Sequence, residues 1–193
     1  MTSSRHSGVI AVRTWPWIFV GLGVAATVAH GGEPDVARGA KLLEPFKAEL
    51  QQALRQGLAR GPVEAITACQ LRAPEIAKDL SQGNVRLGRT SHRLRNPANA
   101  PPSWVSPILE AYLANPSEQT PTTVRLPNEK SGYVEPIPLQ PLCLACHGSA
   151  LAPDVAARID ELYPEDQAVG FEVGELRGVF WIEFFERTVD TSD

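Results

Sequence analysis

Cys143-Leu144-Ala145-Cys146-His147 is the most informative segment of this 193-residue chain. Its two thiols are spaced so that both can reach the vinyl groups of one porphyrin, and the imidazole that follows at once can ligate the iron. The pattern C-x-x-C-H is the attachment site of a c-type haem. The sequence therefore predicts one covalent haem c, bound through Cys143 and Cys146, with His147 as an axial ligand of the iron.

A bare C-x-x-C pair has two other common interpretations, a redox dithiol and half of a zinc site. The chain has no second C-x-x-C and no H-x-x-x-H that would complete a structural zinc site. A thioredoxin-like dithiol is expected early in a βαβ unit, with a helix directly after it. Here the pair comes late, after the proline-rich residues 136–141, and Gly148 follows the histidine. Both alternatives are therefore disfavoured.

The attachment of a c-type haem takes place outside the cytoplasm, so this prediction requires an exported chain. Arg5, His6 and Arg13 give a positively charged start, and residues 15–28 form an apolar run. Ala29-His30-Gly31 then offers small residues at the right positions for a cleavage site. These features predict a signal peptide and a periplasmic location.

We interpret residues 1–31 as the signal peptide and residues 32–193 as one mature domain, a length that suits a single core. The alternative is an uncleaved leader that anchors the protein to the membrane. The apolar run of residues 15–28 is shorter than the ~20 apolar residues that a spanning helix needs. We therefore favour cleavage and expect no membrane span in the mature chain.

The composition is that of an ordinary globular domain. Hydrophobic residues make up 43% and charged residues 21%, and the formal net charge of −4 gives no reason to expect a nucleic-acid partner. Many of the 17 prolines fall between Pro97 and Pro141, which predicts an irregular middle of the chain.

Helical periodicity is clearest near the start of the mature domain. Apolar residues recur at spacings of three and four over residues 36–58, with Asp35 as the cap, Pro45 as the site of a kink and glycines at the end. Pro62 suits the first position of a second, short helix that ends with Cys69 just before a break. Pro74 is expected to open a third helix, because the residue before a proline avoids the helical region.

Strand patterns fill much of the second half. Ser103 is expected to cap a helix that reaches residue 113, and residues 122–126 and 132–139 read as short strands. The prolines of the second strand suit the edge of a sheet. Residues 153–162 are amphipathic, and residues 176–185 are a run of β-formers that predicts a central strand.

The second axial position of the iron decides much of a haem's chemistry. The sole methionine is Met1, which leaves with the leader, so a His/Met cytochrome is excluded. The remaining candidates for the second axial position are Cys69, His92 or a small ligand. Cys69 has no disulfide partner once the haem takes the other two cysteines, but a buried structural thiol is an equally good interpretation from its residues alone. A lone histidine among arginines, such as His92, is more often a loop residue.

Five ordered motifs carry a resemblance to a known family. They are Ala65-Ile66-Thr67-Ala68-Cys69 with Ala73-Pro74-Glu75-Ile76-Ala77, then Arg89-Thr90-Ser91, Arg95-Asn96-Pro97-Ala98-Asn99-Ala100-Pro101, the C-x-x-C-H segment, and Leu176-Arg177-Gly178-Val179-Phe180. Over residues 36–185 the chain resembles the cyanobacterial-type, PAS-like c-type haem domains. The resemblance implies an α+β fold, in which a PAS-like antiparallel sheet is flanked by helices. It also implies His/Cys axial ligation, by His147 and Cys69.

Four arginines lie between Val85 and Arg95. Since haem propionates are carboxylates and guanidinium groups pair with carboxylates, we expect at least one of Arg89, Arg93 and Arg95 to hold a propionate. For any single arginine, a role in bracing the surface is the more common one. Aromatic residues that could line a haem pocket, but are more often core, are Trp104, Tyr112, Trp181 and Phe184.

A thiolate ligand lowers the reduction potential, and its bond to iron can weaken on reduction or protonation. This predicts a periplasmic sensor of redox state or of a diatomic gas that displaces Cys69, signalling through a separate partner protein that the sequence does not identify. The alternative is a low-potential electron carrier with a redox partner. An enzyme such as a peroxidase would need a positioned acid or base beyond His92, so we expect no enzyme. A four-helix cytochrome c′ is disfavoured by the strand predicted after the motif.

Overall fold

The computed structural model describes residues 36–185. The predicted signal peptide, residues 1–31, and the predicted cap Asp35 lie outside this range. Within it, no helix combines the length and apolar character needed to cross a membrane.

The first helix, α1, spans Val36–Leu58 as its apolar spacing predicts. It continues through Pro45, although a proline inside a helix removes one backbone hydrogen bond, here to the carbonyl of Lys41. Burial of Leu43 and Phe46 against the sheet fixes the helix in place. A Cβ on Gly39 would lie 2.3 Å from the ring of Tyr133, so glycine permits this close approach of α1 to the sheet.

The second helix, α2, spans Pro62–Leu80 without interruption, so the prediction of two short helices is wrong. Pro62 is at its start as predicted, but Pro74 lies inside it. Tertiary packing outweighs the local preference, because Ala73 and Ile76 on either side of Pro74 are buried while Pro74 itself faces solvent. Cys69 is consequently in the middle of a helix and not before a break.

Four strands form one antiparallel sheet in the order β1-β4-β3-β2. Their bounds are Val85–Thr90 for β1, Thr122–Leu126 for β2, Lys130–Pro138 for β3 and Leu176–Phe184 for β4. The strand after the C-x-x-C-H segment, β4, pairs with both β1 and β3 and is central, as predicted.

The second predicted strand, β3, is not an edge strand, since it pairs with β2 and β4. Its prolines are nevertheless at a local edge. The pairing with β2 stops at Val134, so Pro136 and Pro138 have a neighbouring strand only on the β4 side. On the open side there is no ladder hydrogen bond for a proline to remove, and prolines are tolerated at such edges.

Helices cover both faces of the sheet. Helices α1 and α2 pack on one face through Phe46, Ile76, Phe180 and neighbouring apolar residues. Helix α3, Ser106–Ala114, packs on the other face. The predicted cap Ser103 lies in a turn ahead of α3, and no side chain caps that helix. The predicted α+β class, with a helix-flanked antiparallel sheet, is confirmed.

The aromatic residues considered for a haem pocket are all part of these apolar layers. Trp104, Tyr112 and Trp181 pack with α3, and Phe184 packs with α1 and α2. The common interpretation of such residues, as core, describes them well.

Candidate functional site

The C-x-x-C-H segment lies beside the end of the sheet, in two short consecutive turns. A 3-10 turn, Pro141–Cys143, leads into the one-turn helix α4, Leu144–His147, which Gly148 ends. Because α4 places Cys146 and His147 three and four residues after Cys143, all three side chains project from about one helical turn. Helix α5, Pro153–Leu162, follows and packs against α2.

The cysteines of this segment are anchored in two different apolar clusters. Cys143 packs against Leu139, Ala168 and Phe171, while Cys146 packs against the Ile66, Val155 and Ile159 cluster between α2 and α5. Both thiols are half-buried and free. Burial raises the pKa of Cys146, with Arg95 acting in the opposite direction.

His147 is held in one orientation by the backbone. Its Nδ1 lies 2.7 Å from the carbonyl oxygen of Ala168, and a carbonyl can only accept, so Nδ1 carries the hydrogen. The lone pair of the ring is therefore on Nε2, which is the tautomer that a metal-binding imidazole needs. Burial, reinforced by Arg177 and Arg95, lowers the pKa of His147 to about 2. The imidazole is thus neutral and available at neutral pH.

An arginine and a carboxylate stabilise the backbone on either side of His147. Arg95 contacts both carboxylate oxygens of Asp166, at 3.2 Å and 3.1 Å, and donates to the carbonyl of Cys146 at 2.6 Å. Asp166 also accepts from the backbone N–H of Ala168 at 2.8 Å. Asp166 and Arg95 thus fix the carbonyl that orients His147. Neither Asp166 nor Ala168 belongs to any motif, so no sequence signal pointed to them.

Cys69 lies on α2, near the turn that holds Cys146 and His147. It is half-buried, and burial raises the pKa of its thiol, while the positive charges of Arg89 and Arg95 oppose that rise. It lies near enough to Cys146 for a charge on one sulfur to raise the pKa of the other. Cys146 also packs against Ile66, which lies one turn before Cys69 on α2, so Cys69 comes near the turn that holds Cys143, Cys146 and His147.

His92, the other candidate ligand, lies against Phe171, whose ring also meets that of His147 edge to face at a centroid distance of 6.3 Å. Nε2 of His92 accepts a long hydrogen bond, 3.4 Å, from Nε of Arg93, and its Nδ1 is buried without a partner. Its ring meets that of Phe171 edge to face at a centroid distance of 5.7 Å. Burial lowers the pKa of His92, followed by the charge of Arg93; Glu175 opposes this and Arg177 adds to it. Cys69 is not among the charged groups that shift the pKa of His92.

Two of the three arginines considered for propionates are engaged within the protein. Arg93 stacks over the ring of Phe171, 3.5 Å from its centroid, and pairs with Glu175, whereas Arg95 is committed to Asp166. Arg89 has no ion pair within residues 36–185. Arg177, which sequence reasoning named only as part of a motif, adds a further guanidinium beside His147.

The site thus combines a neutral imidazole, a helix-borne thiol, two thiols on a single turn and unneutralised positive charge. Among residues 36–185, no three His, Cys, Asp or Glu side chains lie close enough together to hold a bare metal ion, so this set suits a metal that a porphyrin carries. The thiols of Cys143 and Cys146 could form two thioethers, and the positive charge could bind an anionic group. The residues present fit a covalently attached haem with carboxylate side chains, as the sequence predicts.

Comparison with known proteins gives two matches. A protein-family model described as Tll0287-like matches residues 25–184 of the chain. The structure is similar to the crystal structure of the cyanobacterial heme-protein Tll0287, with a TM-score of 0.60 and 23% sequence identity. That match covers 81% of this chain and 98% of the cyanobacterial one. No curated protein shows a significant match.

Proposed function

Because this chain belongs to the Tll0287-like family, we propose that it is a periplasmic c-type cytochrome whose single haem is ligated by His147 and Cys69. We propose further that it acts as a sensor of redox state or of a diatomic gas, and not as an enzyme. The observation that carries this proposal is the convergence of Cys69, from the middle of α2, on the turn that holds Cys143, Cys146 and His147.

Each residue of the site has a distinct part in this function. Cys143 and Cys146 would supply the sulfurs of the two thioethers, and Nε2 of His147 would bind the iron. The carbonyl of Ala168 holds Nδ1–H of His147, which fixes the ring and increases its basicity. When bound, the haem supplies a one-electron Fe(III)/Fe(II) couple.

Cys69 is the residue whose bond is proposed to change. Burial favours the protonated thiol over the thiolate, while Arg89 and Arg95 favour the thiolate, so the surroundings of this sulfur act in opposite directions. A sulfur ligand in that balance is released more readily than a histidine fixed by a backbone carbonyl. Cys69 is part of α2, and α2 packs along α1. Release of Cys69 from the iron would therefore allow α2 and α1 to shift, and these helices lie at the protein surface.

Electron transfer is the second candidate function, and one observation favours it. Leu142, Val169 and Val173 are 50%, 38% and 54% exposed, on segments that flank the C-x-x-C-H turn. Hydrogen bonds from Gly170 and Phe171 to the backbone of Gly148 and His147 hold these segments together. Exposed apolar side chains at a haem edge suit the brief docking of a redox partner.

The ferric and ferrous absorption spectra of the wild-type protein, Cys69→Ala and His92→Gln test the ligation. We expect Cys69→Ala to alter the spectra and His92→Gln to leave them unchanged, because Nε2 of His92 already accepts a hydrogen bond from Arg93. The reverse pattern would assign the sixth position to His92. Carbon monoxide added to the reduced wild-type protein then separates the two functions, since binding supports a gas sensor and failure to bind supports the carrier.

Covalent attachment is tested separately by mass. The protein purified from a host that assembles c-type cytochromes should weigh one haem more than its polypeptide after denaturation. Loss of this added mass in the Cys143→Ser, Cys146→Ser double variant would assign the attachment to those thiols. A colourless wild-type protein of unmodified mass would overturn the proposed function.

A further inference from the structure

Arg89 and Arg177 are two positive charges that form no ion pair with any residue between 36 and 185. Arg177 has one long hydrogen bond, 3.5 Å from Nη1 to the carbonyl of Arg93, and its Nε is buried with no partner. The guanidinium of Arg89, on β1, makes no hydrogen bond or ion pair with any residue between 36 and 185. Each is half-buried. Buried charges are normally paired, so both arginines require an explanation.

The two guanidinium groups are close to one another and to the predicted axial ligands. Burial lowers the pKa of each, and the charge of Arg89 lowers the pKa of Arg177 further. Arg89 interacts with Cys69, and Arg177 interacts with His147. Like charges close together in a partly buried environment destabilise one another, so a bound anion would stabilise both.

No carboxylate of the described residues is left to neutralise this pair. Asp166 favours the charge of Arg177, but it also pairs with Arg95, and its single negative charge cannot balance both guanidinium groups. Glu175 pairs with Arg93. The remaining neighbours of Arg89 that could carry negative charge are Cys69, which the proposed function commits to the iron, and Tyr163, whose pKa is raised by burial so that its hydroxyl stays neutral. The compensating anion must therefore come from a bound molecule.

We propose that Arg89 and Arg177 together form the propionate subsite of the haem, an inference that rests on the proposed function. The two propionates leave the same edge of a porphyrin, and each can accept a two-pronged pair of hydrogen bonds from a guanidinium group. Arg93 and Arg95 hold the loop of residues 166–175 and take no part in this subsite. The propionates are consequently held inside the protein and remain ionised over the physiological pH range.

The pH dependence of the reduction potential of the haem-loaded protein tests this assignment. With both arginines present, the propionates keep their charge and add no pH dependence to the potential between about pH 5 and 8, so that any slope in the wild-type protein comes from Cys69. In Arg89→Gln or Arg177→Gln, a partly buried propionate loses its cation, and its pKa rises into that range. The potential of these variants should then fall more steeply with rising pH than that of the wild-type protein. The result for Arg177→Gln is the decisive one, because the charge of Arg89 also acts on Cys69.

Arg86→Gln is the matched control, because Arg86 lies on the same strand with its side chain exposed. It removes the same charge and should leave the wild-type profile unchanged. Wild-type profiles in Arg89→Gln and Arg177→Gln, with haem bound, would overturn the inference and leave the proposed function intact. A wild-type protein without haem would overturn both.

A crystal structure of the haem-loaded wild-type protein decides the matter independently if the variants do not mature. Propionate oxygens within about 2.7–2.9 Å of the guanidinium nitrogens of Arg89 and Arg177 would support the subsite. Propionates directed at solvent, or paired with Arg93 or Arg95, would overturn it.

Discussion

Arg95 and Asp166 form a largely buried ion pair beside the C-x-x-C-H turn. The side chains are 13% and 7% exposed, and the pair also fixes the carbonyls of Cys146 and Ala168. At this burial, removing one partner leaves an unpaired charge. Ion pairs on the surface, by contrast, contribute little to the free energy of unfolding.

We expect Asp166→Asn to lower the free energy of unfolding by about 3 kcal/mol, because Arg95 would remain buried without its carboxylate. Urea unfolding followed by far-UV circular dichroism measures the change. Glu161→Gln is the control, since it breaks the pair with Arg158 in which Glu161 is 66% exposed, and should cost less than about 1 kcal/mol. Equal losses in the two variants would show that Arg95 is not dependent on Asp166.

His92 provides a prediction about pH. Its folded-state pKa is lowered, by burial first and by Arg93 and Arg177, so the unfolded chain takes up a proton at a higher pH than the folded chain does. Between the ordinary histidine pKa near 6.5 and the lowered value, protons favour the unfolded state, and stability falls as pH falls.

The free energy of unfolding of wild type and His92→Gln at about pH 7 and pH 5 tests this expectation. We expect the wild-type protein to lose more stability over that interval than the variant, because the variant has no proton to gain at position 92. An equal loss in both proteins would mean that His92 titrates normally and that its burial has no electrostatic consequence.

At the scale of elements, the two prolines of α2 have opposite expected effects. Pro74, inside the helix, removes the hydrogen bond to the carbonyl of Gln70, whereas Pro62 is at the first position, where no such bond exists. We expect Pro74→Ala to raise the free energy of unfolding by about 2 kcal/mol, and Pro62→Ala to lower it by up to about 1 kcal/mol through the freer unfolded chain.

Thermal and urea unfolding of the two variants measure these differences. A loss of stability in Pro74→Ala would show that α2 needs the proline's shape at that point. The absorption spectrum of each variant provides a second readout, because Cys69 lies five residues before Pro74 and a change in helix geometry would alter its approach to the haem.

At the scale of the whole molecule, we expect the haem-loaded protein to melt at least about 6 °C above the chain produced without cytochrome maturation. The haem-free chain keeps Arg89 and Arg177 unpaired, a penalty of about 3 kcal/mol for a buried charge without its partner. For a domain of this size each kcal/mol shifts the midpoint by about 2–4 °C.

Differential scanning calorimetry of the two forms provides the measurement. The Cys143→Ser, Cys146→Ser chain from a host with the maturation machinery is the control, and it should melt with the haem-free form if attachment depends on those thiols. Equal midpoints for the loaded and haem-free proteins would show that neither the ligation nor the arginines couple to folding.

The sequence by itself determined the local chemistry and most of the elements. Periodicity set α1 and α5, β-forming runs set β2 and β4, and the spacing of Cys143, Cys146 and His147 predicted a haem attachment turn, because these signals lie within one turn or one strand. The candidates for other parts of the site were named from motifs, without any information on how they approach one another.

Only the tertiary structure decided which of these residues meet. Packing of α2 on α1 and the sheet overrode Pro74 and kept Cys69 inside one continuous helix. Pairing of the sheet put Arg89 and Arg177 on neighbouring strands, and the loop after α5 brought Asp166 and Ala168 behind His147. Such contacts join residues up to about a hundred positions apart, and their energies depend on burial and charge that no local pattern contains.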